Sequence, residues 1–377
     1  MKNNFKNFVL LCASLLFCIG IAELIIKLFL PQKLIYNANV IYKTDNTFGW
    51  RHVENVFTEI NPTGVGLVHF RTDSNGYRIN INDDKIKNEK NLLNILVLGD
   101  SFLAAVQVEN EKTIPELLKH DLKSNFNLNV NFHNSAVGGW DPNHYFLETK
   151  KVLQENKIDL DLCLVFLCVS NDIVRTINSS YDPEQVAQKH HFKIPENFSW
   201  SSFINSILYP INDWLEVRSH LFILLKNRFQ FILSKMGLTA AYFPEIFLIN
   251  EQFSNRWEIT SSICKNINNE FKQRNIPTFF ILLPSVYQCN ENIFYNHIKN
   301  FKVPLDSVDL KQPNKLLAKL FYDKELNFYD PLIFMQKQFE NGFTMYGKID
   351  GHFNEEGHRV IADYLLPIVL KYLNKDL

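Results

Sequence analysis

The chain has no basic surplus: 39 Lys+Arg stand against 40 Asp+Glu, a formal net charge of −1 over 377 residues. A nucleic-acid binder normally carries excess cations to neutralise phosphates, so that class is disfavoured. Cysteine is scarce, and the six present lack metal-ligand spacing. Cys12 and Cys18 fall in an N-terminal apolar run, and Cys163 and Cys168 in a strand-like segment. Only Cys264 and Cys289 are left as a disulfide pair, which excludes a cystine-stapled scaffold. Internal repeats and low-complexity tracts are also missing. What is abundant is apolar surface: 46% of residues are hydrophobic and 14% aromatic, with 32 Phe. Such a chain can bury a sizeable core, in one large domain or two modest ones, and is not disordered as a whole.

Residues 1–7 form a tail carrying Lys2 and Lys6. From Phe8 to Leu30 the sequence is apolar except for Ser14, Glu23 and Lys27. As a helix this run covers about 34 Å, enough for a bilayer core. Glu23 and Lys27 are spaced i,i+4 and can pair on one face, and Pro31 ends the helix. A cleaved signal peptide is the alternative, with a small-x-small site at Gly20-Ile21-Ala22, but the apolar ELIIKLFL that follows is unusual for a mature N-terminus. Neither Cys12 nor Cys18 follows a small residue, which argues against a lipoprotein. Lys2, Lys6 and the α-amino group against Lys33 and Lys43 give a slight positive-inside bias, so the expectation is a single-pass membrane protein with its main body periplasmic or on the cell surface.

Residues 31–90 contain short alternating runs (LVHFRT, YRINI) and the turn signals Asn61-Pro62 and Ser74-Asn75-Gly76, a small β-rich segment. From residue 91 the pattern changes. LLNILVLG, LNVNFHNSA, DLCLVFLCVS and PTFFILLPS read as strands, and helical segments such as KTIPELLKHDLK, PNHYFLETKKVLQEN and RWEITSSICKNINNEF separate them. A last helix runs from Glu355 to about Lys371. Strands without polar alternation predict an α/β fold whose parallel sheet is covered on both faces, with functional groups at the carboxyl ends of its strands. An aromatic-rich interruption at about 180–250 is expected to be a helical insertion; a lid over an acyl pocket or a helix lying on the bilayer are the other readings. Lys226 and Arg228 make it a poor second membrane span.

Four segments fall where strand ends converge. Gly99-Asp100-Ser101-Phe102 follows the first strand, and a serine at a strand-to-helix turn is exposed for attack; an ordinary helix N-cap explains the same residues. Asn134-Ser135-Ala136-Val137-Gly138-Gly139-Trp140 follows the second, where paired glycines present backbone N–H groups or simply turn the chain. Val169-Ser170-Asn171-Asp172 ends the third; Asn171 can aim its amide at an oxyanion or close an Asx-turn. Asp350-Gly351-His352-Phe353-Asn354 opens the last helix, where His352 can take a proton from a serine while Asp350 orients its ring. His352 and His358 are six apart, poor spacing for one helical face, which argues against a metal site. His358 reads as a structural residue.

Together these segments resemble the SGNH, or GDSL-type, hydrolase superfamily, with Ser101, Gly139, Asn171 and His352 as its four named positions. Gly49-Trp50, Asn75-Gly76-Tyr77-Arg78 and Ser219-His220-Leu221 are similar to segments of its membrane-anchored bacterial group. The acid departs from the common pattern: position 349 is Ile, so Asp350 takes the role in an Asp-x-His arrangement also seen in related alginate-acetylating proteins. The resemblance implies a flavodoxin-like three-layer parallel sheet at 91–377. It implies a serine esterase with Ser101 as nucleophile, His352 as base and Asp350 as orienter. The backbone N–H groups of Ser101 and Gly139 and the Asn171 side chain would form the oxyanion hole. No metal or organic cofactor is implied. The implied substrate is an O-acyl, chiefly acetyl, group on an extracytoplasmic carbohydrate or other envelope ester. An O-acyltransferase with the same triad, a lipase acting on membrane acyl chains and a non-catalytic envelope assembly or binding protein are the competing functions.

Overall fold

The computed structural model describes residues 2–32, 34, 40–62, 66–80, 92–175, 211–212, 214–235, 245–249, 254–298, 303–347 and 351–373. They fall into two compact units. One draws on Met1–Ala38, Glu59–Leu67 and Lys193–Tyr242; the other draws on Asn39–Thr58, Val68–Phe192 and Phe243–Leu377.

The larger unit is built on a five-stranded sheet. Its strands are β5 (Leu93–Leu98), β6 (Val130–Asn134), β7 (Leu162–Cys168), β8 (Thr278–Leu283) and β9 (Phe328–Tyr329), in the spatial order β6-β5-β7-β8-β9 with every pairing parallel. This is the doubly wound 2-1-3-4-5 order, and it reverses direction between β5 and β7. Alternate residues of β5, β7 and β8 enter opposite cores. Leu96, Leu98, Cys163, Val165, Leu167, Phe280 and Leu282 pack on one face, and Ile95, Val97, Leu164, Phe166, Phe279 and Ile281 on the other. Both sets are apolar because both faces are covered, which is why no polar alternation appears in the sequence.

Helices α4 (Pro142–Glu155), α7 (Ser254–Lys272) and α10 (Gln312–Asp323) cover the first face, contributing Tyr145, Trp257, Phe271 and Phe321. On the second lie α3 (Ile114–Phe126), α11 (Leu332–Glu340) and α12 (Glu355–Leu373), with Leu118, Met335, Ile361 and Leu365. The shorter α2 (Ser101–Ala104), α5 (Asp172–Arg175), α8 (Val286–Cys289) and α9 (Glu291–Ile298) follow strand ends or link these elements. The fifth strand, only two residues long, carries too little pattern to be read from sequence.

Ahead of the sheet, β1 (Tyr42–Asp45) and β2 (Gly49–His52) pair antiparallel, and the short strands β3 (Phe57–Ile60) and β4 (Val68–Arg71) follow. This β-rich segment is not detached from the sheet. Arg78 bridges to Asn134 at the end of β6, and the Trp50 indole donates to the Gly138 carbonyl at 2.8 Å. Cys264 and Cys289, the pair the sequence left open for a disulfide, are both free and buried, and Cys289 Sγ lies 3.3 Å from the Tyr346 hydroxyl.

In the smaller unit, α1 (Lys2–Phe29) contains a 25-residue stretch, Phe5–Phe29, whose most apolar 18-residue window has mean hydropathy 2.7 and no buried residue. Among the described residues it is the one helix long and apolar enough to cross a membrane; a signal sequence has the same length and composition. A further helix of this unit, α6 (His220–Lys235), lies within the predicted helical insertion, most of which falls outside the described residues.

Candidate active site

Strand β5 ends at Leu98, and the chain turns at once into the four-residue α2. Asp100 caps that helix: its carboxylate accepts from Phe102 N at 2.9 Å, and its carbonyl accepts from Ala104 N at 2.9 Å. The helix stops at Ala105, whose φ of 48° is left-handed. The capping duty that could have explained a serine here is therefore Asp100's. Ser101 occupies the first helical position, and its Oγ is 2.8 Å from Nε2 of His352, a residue 251 positions away.

His352 is placed from the opposite direction, by a loop entering α12. Gly347 N donates to the His352 carbonyl at 2.7 Å, and Tyr346 and Phe353 form an isolated antiparallel bridge. Phe353 is fully buried, with its ring edge-on to Phe102 at 4.9 Å and tilted against Tyr346 at 5.1 Å. The Gln107 amide donates to the Phe353 carbonyl at 2.8 Å, and the Phe102 ring lies 5.0 Å from the imidazole of His352. Asn354 caps α12 by accepting from Gly357 N at 3.0 Å. The first turn of α12 passes so close to the chain before it that a Cβ on Gly357 would sit 2.1 Å from the Met345 carbonyl oxygen.

The third strand end supplies Asn171, whose amide Nδ2 donates to Asp100 Oδ2 at 2.8 Å. The carboxylate that ties this turn is its neighbour, Asp172. It is fully buried, accepts from Cys168 N at 2.9 Å and receives the Tyr145 hydroxyl at 3.2 Å. The second strand end brings Gly138 against Ser101: a Cβ there would meet the Tyr42 hydroxyl at 2.9 Å and lie 3.9 Å from Ser101 Cβ. Gly139 follows with a φ of +85°. Cys168, at the end of β7, is kept from ionising. Burial first, then the Asp100 and Asp172 carboxylates, raises its thiol well above the ordinary range.

Beneath α2 lies a buried cation. Arg78 donates through Nη1 to the carbonyls of Ala104 (2.7 Å) and Ala105 and through Nη2 to that of Val108 (2.6 Å). Asn134 Nδ2 adds a donor to the Leu103 carbonyl at 3.0 Å. The C-terminal carbonyls of so short a helix have few partners within it, and these side chains satisfy them. A cation there also suits the helix's negative end. Burial lowers Arg78 to about 10, still protonated at neutral pH. His358 is fully buried in the first turn of α12; burial, helped by the charges of Arg78 and His352, holds it down to about 3. It is therefore neutral, and its side-chain nitrogens have no hydrogen-bond partner.

Of the residues singled out in the sequence, Ser101 and His352 meet directly, Asn171 meets Asp100 beside Ser101, and Gly138 precedes Gly139 against it. Asp350 lies outside the described residues. Sequence reasoning weighed Asp100 only as a helix cap, alongside Ser101, and gave Arg78 no role of its own. A charged side chain at the edge of an apolar run, where burial demands a partner, was the further signal. Among the described residues, no group of three or more His, Cys, Asp or Glu is placed to hold a metal ion.

No protein-family model matches the sequence, and no curated protein does. Solved structures similar to the chain include the acetyl xylan esterase AlAXEase, 12% identical with TM-score 0.40, covering 74% of this chain and 100% of that one. A member of the lipolytic protein G-D-S-L family from Veillonella parvula is 12% identical with TM-score 0.38, covering 73% and 97%. AlinE4, an SGNH-hydrolase family esterase, is 14% identical with TM-score 0.36, covering 76% and 99%. The chemistry of the present chain comes from its own atoms.

Proposed function

We propose that the protein is a serine esterase whose nucleophile is Ser101 and whose base is His352. The observation that carries this is the 2.8 Å contact between Ser101 Oγ and His352 Nε2 at the carboxyl end of a parallel sheet, with the helix-capping duty assigned to another residue. His352 would take the hydroxyl proton as Ser101 attacks an ester carbonyl, then return it to the leaving alcohol. Water would repeat the sequence to release the acid and restore the serine. Asp350, two residues before His352, is the proposed orienter of the ring.

Negative charge forming on the carbonyl oxygen needs donors already in place. The backbone N–H groups of Ser101 and Gly139 and the Asn171 amide are the proposed set. Asn171 has two amide hydrogens; the one given to Asp100 fixes the side chain, and the second is available to the oxyanion. Asp100 thus orders two elements at once, by capping α2 and by aiming Asn171.

The proposed substrate is a short O-acyl group, such as acetyl, on a carbohydrate or other ester of the cell envelope, reached by a body held outside the cytoplasm by an uncleaved α1. A fluorophosphonate probe tests the chemistry: wild type should be labelled and Ser101→Ala should not. Chromogenic esters of graded chain length test the substrate, with acetyl turned over fastest. Labelling that persists in Ser101→Ala would overturn the nucleophile, and a preference for long chains would point to lipids instead.

A further inference from the structure

In the smaller unit, a carboxylate of the apolar helix is bonded to a second helix. Glu23 Oε2 accepts from the Ser219 hydroxyl at 2.7 Å and from Leu221 N at 2.9 Å, and its Oε1 accepts from His220 N at 2.8 Å. The Ser219 hydroxyl in turn accepts from Phe222 N at 3.0 Å, and Gln32 N donates to His220 Nδ1 at 2.9 Å. The first N–H groups of α6, which no helix can satisfy internally, are thus satisfied by Glu23 of α1 (His220 and Leu221) and by Ser219 (Phe222).

Further along α6, Leu225, Phe229 and Ile232 are 58%, 62% and 52% exposed. Their spacing puts all three on one narrow stripe of the helix. Just before it, Trp214 is 57% exposed with the Arg218 guanidinium over its ring. Lys226 turns aside to pair with Glu216 and Asn212.

The position of Glu23 gives the depth. A 25-residue apolar helix is about 37 Å long against a ~30 Å hydrocarbon core, so its end reaches the headgroups. Glu23 lies six residues before Phe29, about 9 Å from the end of α1. Helices lying in the membrane surface sit ~5–10 Å deep in that zone.

We propose that α6 is a second membrane contact, an interfacial helix lying in the leaflet at the C-terminal end of α1, fastened there by Glu23, with Leu225, Phe229 and Ile232 against lipid acyl chains. The carboxylate that would otherwise be costly at this depth is satisfied by three donors. Held in water instead, each of the three side chains would forgo the transfer free energy of an apolar group. This rests on reading α1 as an uncleaved membrane anchor.

The full-length protein, reconstituted in phosphatidylethanolamine–phosphatidylglycerol vesicles, is to carry photoreactive benzoylphenylalanine at position 15, 229 or 322. Position 15 is on α1, 229 on α6, and 322 on an exposed face of the larger unit. Lipid adducts should form at 15 and 229, and at least about tenfold fewer at 322. Adducts at 15 without adducts at 229, protein adducts in their place, or equal yields at 229 and 322 would overturn the placement of α6 while leaving the anchor intact. No adducts at 15 would overturn the anchor reading itself. Glu23→Ala should lower the yield at 229 about fivefold or more and leave that at 15 unchanged, with soluble-ester turnover as in wild type. An unchanged yield at 229 in Glu23→Ala would show that the carboxylate does not fasten the helix.

Discussion

The two halves of the Ser101–His352 pair are held by different means. The serine side grows out of the sheet: β5 is buried on both faces, α2 is capped by Asp100, and its far carbonyls are taken by Arg78 and Asn134. The histidine side is a loop, pinned by the His352 carbonyl, the buried Phe353 ring and the close pass of Gly357 under Met345. Position on the first side is a consequence of core packing. On the second it depends on a few local contacts, so a small backbone shift there moves His352.

The largest expected effect is chemical and strikes both sides alike. Ser101→Ala and His352→Ala should each lower ester turnover by at least ~10³-fold, since such a pair acts as a unit, while melting temperature changes little. Steady-state hydrolysis with circular dichroism checks this, and near-normal turnover in either variant would dissolve the pair.

Next comes the oxyanion side. Asn171→Ala should lower kcat ~10²–10³-fold with KM little changed, because the contact matters most in the transition state. Asn171→Asp should be at least as inactive and less stable, since it faces the Asp100 carboxylate across 2.8 Å. An active Asn171→Asp would remove the oxyanion role.

The contrast between the sides is sharpened by Gly357→Ala. Its Cβ meets backbone at 2.1 Å, so the loop must move, at a cost of about 3 kcal/mol or more in denaturant unfolding. Turnover per folded molecule should fall as well, because His352 moves with the loop. Full activity at full stability would show that this close approach does not position the base.

The smallest effect is a dependence on pH. His52 and His358 are both held to about 3 by burial, whereas in the unfolded chain each takes a proton near 6.5. Between those values the unfolded state binds more protons. Stability is therefore full above pH 6.5 and falls on acidification, by about 1.4 kcal/mol per pH unit for each histidine once well below 6.5. Urea unfolding at pH 7 and pH 5 measures the slope, and His358→Leu should flatten it by one histidine's share. An identical slope would mean that His358 is not held neutral.

Much of this was legible beforehand because apolar pattern reports burial directly. The runs in β5, β7 and β8 announced a sheet covered on both faces, and the residues just beyond β5 and β7 included Ser101 and Asn171. His352 stood out through its own segment, Asp350-Gly351-His352. The two-residue β9 was not legible, since so short a strand has no period. Nor could spacing distinguish Asp100 as cap from Ser101 as cap, because either side chain can accept from the helix backbone.

By itself the sequence determined the apolar anchor-length run, the parallel sheet and the short list of side chains able to do chemistry, since these follow from local composition and period. Only the tertiary structure decided which of them meet. Contact between Ser101 and His352 closes a loop of 251 positions, and the order β6-β5-β7-β8-β9 that brings the strand ends together is a property of packing. The partnerships of Asp100 with Asn171, of Arg78 with the carbonyls of α2, and of Glu23 with the start of α6 are likewise long-range. Each satisfies a polar group far along the chain from its donor, and no local pattern encodes such a pairing.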